Sequence, residues 1–285
     1  MLLKVENLSV AFRMEGKTSV PVRGVSFSIE NGDRVALVGE SGCGKSLTAL
    51  SIGSLVDRAQ IKGSITGTDR IAYIFQNPIQ SLNPVMRIGR QIEEASPRRR
   101  MSPKEIGEAL ESVGIARTSA KRYPCEFSGG QQQRIMIAMA LAAEPELLIA
   151  DEPTTALDVI TQKEVLDLIN EKAIERGMAV LLITHNLALV KRYSRFVNVM
   201  YAGKIVESGP VERVLSSARH PYTKGLVAAV PDIKLPKNAP LKDIPGTVPA
   251  PWDWPEGCAF HPRCPYAREE CHLPSFTVCP FVEDL

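Results

Sequence analysis

Apolar and polar residues roughly alternate from Leu2 to Phe12 and again from Val20 to Ile29. A period of two marks half-buried strands, so these stretches predict two strands joined by a turn around Glu15 to Lys17. The pattern then changes. DRVALVGESGCGKSLTALSI (33–52) reads as a buried strand, a glycine-rich loop and a helix. IAYIF (71–75) is a further apolar strand. From 77 to 145 helical patterns dominate, broken by Pro84, Pro97, Pro103 and Pro124. ELLIAD (146–151) and AVLLIT (179–184) are continuous apolar runs flanked by helical stretches. Such runs suit strands buried on both faces, as in a parallel sheet covered by helices. The expected class is α/β, with an antiparallel β subdomain first and an inserted α-helical subdomain at about 77–145.

After Pro231 the character shifts again. The last 55 residues hold 11 of the 21 prolines and both tryptophans, Trp252 and Trp254. This stretch, 231–285, predicts an irregular appendage unable to form a core alone, attached to a domain spanning 1–230. At 285 residues, 44% hydrophobic and 23% charged, the chain has the balance of an ordinary folded protein. A net charge of +2 gives no basic excess for nucleic acid. PRRR (97–100) reads as a solvated charged loop. The opening MLLKVENLSV places Lys4 and Glu6 where a signal peptide needs an apolar segment. The longest apolar run, IMIAMALAA, has nine residues, too few to span a bilayer. The expected compartment is the cytosol.

GESGCGKS (39–46) matches G-x-x-x-x-G-K-[ST]. Gly39, Gly42 and Gly44 let the backbone amides of Glu40, Ser41 and Cys43 turn inward around phosphate oxygens. The following helix points its positive end at the same anion. Lys45 reaches the terminal phosphates and the Ser46 hydroxyl ligates magnesium. A chance glycine turn would lack the strand VALV before it and the helix after it. Cys43 reads as a tolerated small residue whose backbone matters. LLIADEP (147–153) ends an apolar strand in two carboxylates: Asp151 to hold magnesium and Glu152 to polarise an attacking water. FSGGQQQR (127–134) supplies Ser128, Gly129, Gly130 and Gln131 at a helix start, a second anion-binding device.

The phosphate loop, the acidic strand and SGGQ about 20 residues before it resemble the ABC-type ATPase family. That family's signature is usually LSGGQ; Phe127 here replaces the leucine. The resemblance covers nearly the whole chain and implies a P-loop ATPase core. It implies that Gln76 in IFQNP contacts magnesium and couples to a membrane partner. Asp158 in ALD (156–158) would cross to a second subunit, His185 in ITHNL would contact the terminal phosphate, and Phe12 would stack on adenine. It also implies a head-to-tail pair of cassettes, because the signature serine of one subunit closes over nucleotide held by the other. With one phosphate loop and no span, transport would need a second copy or paralogue and two permease subunits. An external solute-binding protein and a place on the inner face of the cell membrane follow from the same resemblance. A soluble ABC ATPase acting in repair or translation is the alternative.

Four of the six cysteines, Cys258, Cys264, Cys271 and Cys279, crowd the tail. Such crowding means a disulfide staple or a metal site. A cytosolic chain argues against disulfides, which leaves metal. Thiolates suit zinc and iron–sulfur clusters alike, and C-x5-C-x6-C is not a zinc-ribbon spacing. His261 and His272 are alternative ligands. HPYTKGL (220–226) and CAFHPRCPYAREEC resemble the ATP-binding subunits of oligopeptide, dipeptide and nickel importers. In such relatives the tail cysteines hold a 4Fe–4S cluster. The spacings here are five, six and seven intervening residues; the first two match the family form and the third is shorter. This metal-binding tail is expected to lie outside the phosphate site, in a structural or regulatory role.

Overall fold

The computed structural model describes residues 1–14, 17–77, 81–98, 100–155, 157–230, 243–276 and 279–282. The smaller sheet is antiparallel and joins Leu3–Met14 (β1), Lys17–Ile29 (β2) and Gln60–Gly67 (β4) in the order β2-β1-β4. The larger has six strands, in spatial order Ile71–Ile74 (β5), Leu147–Asp151 (β6), Ala179–Thr184 (β7), Arg34–Val38 (β3), Phe196–Tyr201 (β8) and Lys204–Pro210 (β9). All its neighbours are parallel except β8 and β9. The apolar runs in β3, β6 and β7 form the middle of this sheet, where both faces are covered and apolar residues dominate.

The two strands anticipated at the start form as expected, though their turn lies outside the described residues. β4 was not anticipated, because its residues are mostly exposed and carry little alternation. β8 and β9 also escaped notice. The helical insertion contains Ile88–Ala95 (α2), Pro103–Glu111 (α3) and Gly129–Ala142 (α4), within the anticipated limits. Ser102 and Glu105 close a capping box on α3, and Ser128 and Gln131 close one on α4. Ile135, Ile137 and Leu141 of α4 pack in one core with Ile74, Leu148 and Leu182 of the large sheet. The insertion is thereby anchored to the strands that carry the carboxylates.

Register positions the chemistry. Val38 pairs with Thr184, and Asp151 with Ile183, so β3, β6 and β7 end at one edge of the sheet. Residues just beyond those ends meet outside the sheet's carboxyl edge, the usual ligand position in open α/β sheets. The helix Lys45–Ile52 (α1) follows β3 through the phosphate loop. Beyond β9 come Val211–Ser216 (α5) and Pro221–Ala228 (α6). The tail from 243 is irregular, with tight helical turns at His261–Arg263 and Glu269–His272. Among its described residues, Phe260, Trp254 and Ile244 join Val197, Tyr201, Val214 and Tyr222 of the main domain.

Candidate nucleotide site

The phosphate loop is held by close backbone approach. Gly39 has φ 155° and a Cβ there would collide with the Met200 carbonyl. Gly44 has φ 102°, and a Cβ would stand 2.6 Å from the Pro21 carbonyl. The Cys43 carbonyl accepts from Gly203 N at 3.0 Å, while its side chain is fully buried. The Cys43 sulfur also accepts from Lys45 Nζ at 3.8 Å. No side chain caps α1 at Gly44, so the first amides of the helix remain available to an anion. Lys45 is 5% exposed, and its Nζ donates to the carbonyls of Gly39 at 2.8 Å and Glu40 at 3.0 Å. The ammonium thus stands inside the loop, ready to exchange carbonyls for phosphate oxygens.

The residues beyond β6 and β7 complete this edge. The Ser46 hydroxyl lies beside the Asp151 carboxylate. Burial raises the Asp151 carboxyl above its ordinary pKa and Glu152 adds to this; the Ser46 hydroxyl and the Lys45 charge oppose it. Its Oδ1 is buried without a hydrogen-bond partner among the described residues. An orphaned carboxylate oxygen beside a hydroxyl is an oxygen donor pair that fits a divalent cation. Glu152 has a left-handed backbone, φ 45°, held by its amide donating to Ile183 O at 2.9 Å. Its carboxylate contacts His185 Nδ1 at 3.1 Å, and accepts from Thr155 Oγ1 at 3.1 Å and Gln76 Nε2 at 3.3 Å. Burial pushes the Glu152 carboxyl up, but the His185 and Thr155 bonds and the His185 and Lys45 charges outweigh it, leaving the pKa below its ordinary value. Glu152 is therefore an ionised acceptor at neutral pH. A cavity of about 220 Å³ opens between Glu152, Thr155, Thr184 and His185, room for water beside the carboxylate.

Gln76, Glu152 and His185 are thus brought together, with Ser46 and Asp151 beside the loop. Ser128–Gln131 and Asp158 lie elsewhere. Ser128 Oγ accepts from Gln131 N at 3.4 Å and Gln131 Oε1 from Ser128 N at 3.0 Å, leaving both residues exposed. Asp158 caps the helix Val159–Arg176 through Ile160 N and Thr161 N, each at 3.0 Å. A Cβ on Gly130 would come within 2.9 Å of Thr161 Cγ2, so the signature turn rests on that helix start. Ala156 lies outside the described residues. Phe12 is half-buried on β1 against the core between the two sheets.

The sequence reading missed Thr155, Tyr222 and Arg263. Tyr222 Oη accepts from Glu40 N at 2.9 Å. Arg263 forms a two-pronged pair with the Glu40 carboxylate at 2.8 and 3.1 Å. Through Arg263 the tail reaches the phosphate loop, a contact the sequence reading did not anticipate. Only an acid at Glu40, in a loop built to bind anions, hinted that a cation must stand nearby.

The four tail cysteines are unpaired. Cys258 N donates to Cys271 O at 2.9 Å, and Cys258 and Cys279 line a cavity of about 220 Å³ with Tyr201, Phe260 and Phe276. Burial raises the thiols of Cys258, Cys264 and Cys279, and neighbouring tail thiolates push the same way. Among the described residues no three His, Cys, Asp or Glu side chains gather closely enough to hold a metal ion. The rings of His261 and His272 lie 4.0 Å apart, and His261 Nδ1 is 2.9 Å from Cys258 O.

Residues 22–155 match the model of the ABC transporter family. A putative peptide import ATP-binding protein of Brucella abortus is 42% identical over 299 residues, spanning 96% of this chain and 90% of its own. The chain belongs to the ABC transporter ATP-binding family. It is an ATPase of that type. A putative peptide import ATP-binding protein of Brucella ovis is 44% identical, spanning 95% of this chain and 91% of its own. Residues 206–271 match the oligopeptide/dipeptide transporter C-terminal region, which speaks against the repair or translation alternative. Among solved structures, the ATP-binding cassette MJ0796, dimeric with ADP and Pi after hydrolysis, is similar at TM-score 0.66 and 26% identity, over 74% of this chain and 99% of its own. CbiO1 of Clostridium perfringens, part of the transporter complex cbiONQ, is similar at TM-score 0.65 and 26% identity, over 76% of this chain and 91% of its own. No helix among the described residues is long and apolar enough to cross a membrane.

Proposed function

We propose that this ABC ATPase energises import of peptides, or a related small solute, through a membrane transporter. The observation that carries the reading is the Gln76–Glu152–His185 group beside the phosphate loop, in a chain whose similarity to the Brucella proteins runs through the tail. Lys45 and the loop amides bind the phosphates; Phe12 stacks on the adenine. Ser46, Asp151 and Gln76 hold magnesium, which when bound neutralises charge on the phosphates. Glu152 orients a water and draws its proton as general base. His185, against the Glu152 carboxylate, contacts the terminal phosphate.

Ser128, Gly129, Gly130, Gln131 and Asp158 serve the nucleotide of a second cassette, a copy or paralogue, in a head-to-tail pair. Val159 and Ile160, 80% and 74% exposed beside Asp158, are an apolar pair that such a partner would cover. Phe75 and Val85, 39% and 82% exposed around the Gln76 loop, suit one of two membrane permease subunits. An external solute-binding protein would deliver the cargo, and the ATPase would sit peripherally on the inner face of the membrane. Cys258, Cys264, Cys271 and Cys279 would hold a 4Fe–4S cluster. Cys258 and Cys279 line one cavity with Phe260 and Phe276, and Cys258 N donates to Cys271 O, which brings three of the four cysteines into one neighbourhood.

Glu152→Gln tests the centre of the proposal. The amide keeps the size of the side chain but loses the base, so turnover should fall by about 10² to 10⁴ while ATP binding persists. With ATP the variant should sediment as a dimer. Near-normal turnover from a species that stays monomeric would remove both the role of Glu152 and the paired geometry.

A further inference from the structure

We propose that Arg263 is a positioning residue of the nucleotide site: paired with Glu40, it makes the cysteine tail part of the phosphate loop's support and sets ATP affinity. All five guanidinium donors are engaged. Nε donates to Pro245 O at 2.8 Å, Nη1 to Glu40 Oε2 at 2.8 Å and Tyr201 Oη at 3.4 Å, and Nη2 to Glu40 Oε1 at 3.1 Å and Ile244 O at 3.0 Å. The Arg263 side chain is 4% exposed and that of Glu40 31%, so the pair is largely screened from water. Arg263 ends the turn that begins at Cys258: His261 N donates to Cys258 O, Arg263 N to Phe260 O and Cys264 N to His261 O. Its place is thus set between two of the tail cysteines.

Glu40 transmits the contact. Its amide donates to Tyr222, its carbonyl accepts from Lys45 Nζ, and Cys43 N donates to the same carbonyl at 3.4 Å. Shifting Glu40 therefore shifts the ammonium that meets the phosphates. There is also a charge argument. A bare carboxylate in a loop that binds polyanions would repel them, and Arg263 neutralises it. Two unit charges within several ångströms at an effective dielectric near 20 interact by more than about 1.4 kcal/mol, which is roughly tenfold in affinity.

The test is a double-mutant cycle on the full-length chain, read by the dissociation constant of a fluorescent ATP analogue with magnesium. Arg263→Gln leaves Glu40 charged and unpaired; binding should weaken at least about tenfold, and the deficit should shrink as salt is raised. Adding Glu40→Gln removes the stray charge and should recover most of the loss. Arg263→Gln binding like wild type, a double variant as weak as Arg263→Gln, or a salt-independent deficit would each overturn the proposal. A second measurement does not need Arg263→Gln to fold. Coupling is reciprocal, so saturating nucleotide should slow tryptic cleavage of the wild-type tail several-fold, and Glu40→Gln should abolish that dependence. Equal cleavage of the wild type with and without nucleotide would overturn it too.

Discussion

Acid should weaken this fold through one buried histidine. His220 is 3% exposed and caps α6 with Nδ1, which accepts from Tyr222 N at 3.1 Å. Its ring lies against Phe260, centroids 5.9 Å apart, and its amide donates to the buried Glu207 carboxylate at 2.9 Å. A nitrogen that accepts carries no proton, and burial lowers the histidine pKa from the ordinary 6.5 to about 4. Between those two values the unfolded chain binds a proton that the folded chain excludes. Stability therefore rises with pH across that window and is lost as pH falls below 6.5. At about 1.36 kcal/mol per pH unit, moving from pH 7.5 to pH 5 costs about 2 kcal/mol from this residue. For a domain of this size that is roughly 4–8 °C in Tm. His220→Asn keeps a side-chain acceptor at the cap but does not titrate. Thermal unfolding of both proteins at the two pH values checks the argument. Wild type should lose about 2 kcal/mol more than the variant on acidification. Equal acid losses would refute the assignment of His220 as a neutral buried cap.

Lys45→Ala should abolish most ATP hydrolysis by removing the ammonium from the loop; a normal steady-state rate would contradict the phosphate-loop geometry. Phe260→Ala empties the junction of tail and main domain at a cost of about 3–5 kcal/mol. The tail should then become sensitive to trypsin at temperatures where the sheet still melts cooperatively, and an unchanged digestion pattern would count against the shared core. Protein purified without oxygen should be brown with about four irons per chain. Cys264→Ser should lose the colour, whereas one zinc and no iron would rule the cluster out. A Cys279→Ser variant with full iron would remove that residue from the ligand set.

Local chemistry made much of this protein legible in one dimension. A phosphate loop needs its glycines, lysine and serine within eight consecutive residues, so GESGCGKS can be read without a fold. The buried strands β3, β6 and β7 announce themselves as short, nearly continuous apolar runs, because both faces exclude water. Register alone decided the meeting of Gln76, Glu152 and His185, since their elements end at one edge of a sheet whose strands come from distant parts of the chain. β4 left little trace because a mostly exposed strand has no apolar face to show. The tail was legible as proline-rich and dependent on support, but not as part of the nucleotide site. Its union with Tyr201 and Tyr222 depends on aromatic burial between segments far apart in sequence. The pairing of Arg263 with Glu40, 223 residues away, has no sequence period to report it. A salt bridge of that separation exists only after the sheet, the α6 helix and the tail have packed, so tertiary structure alone determined it.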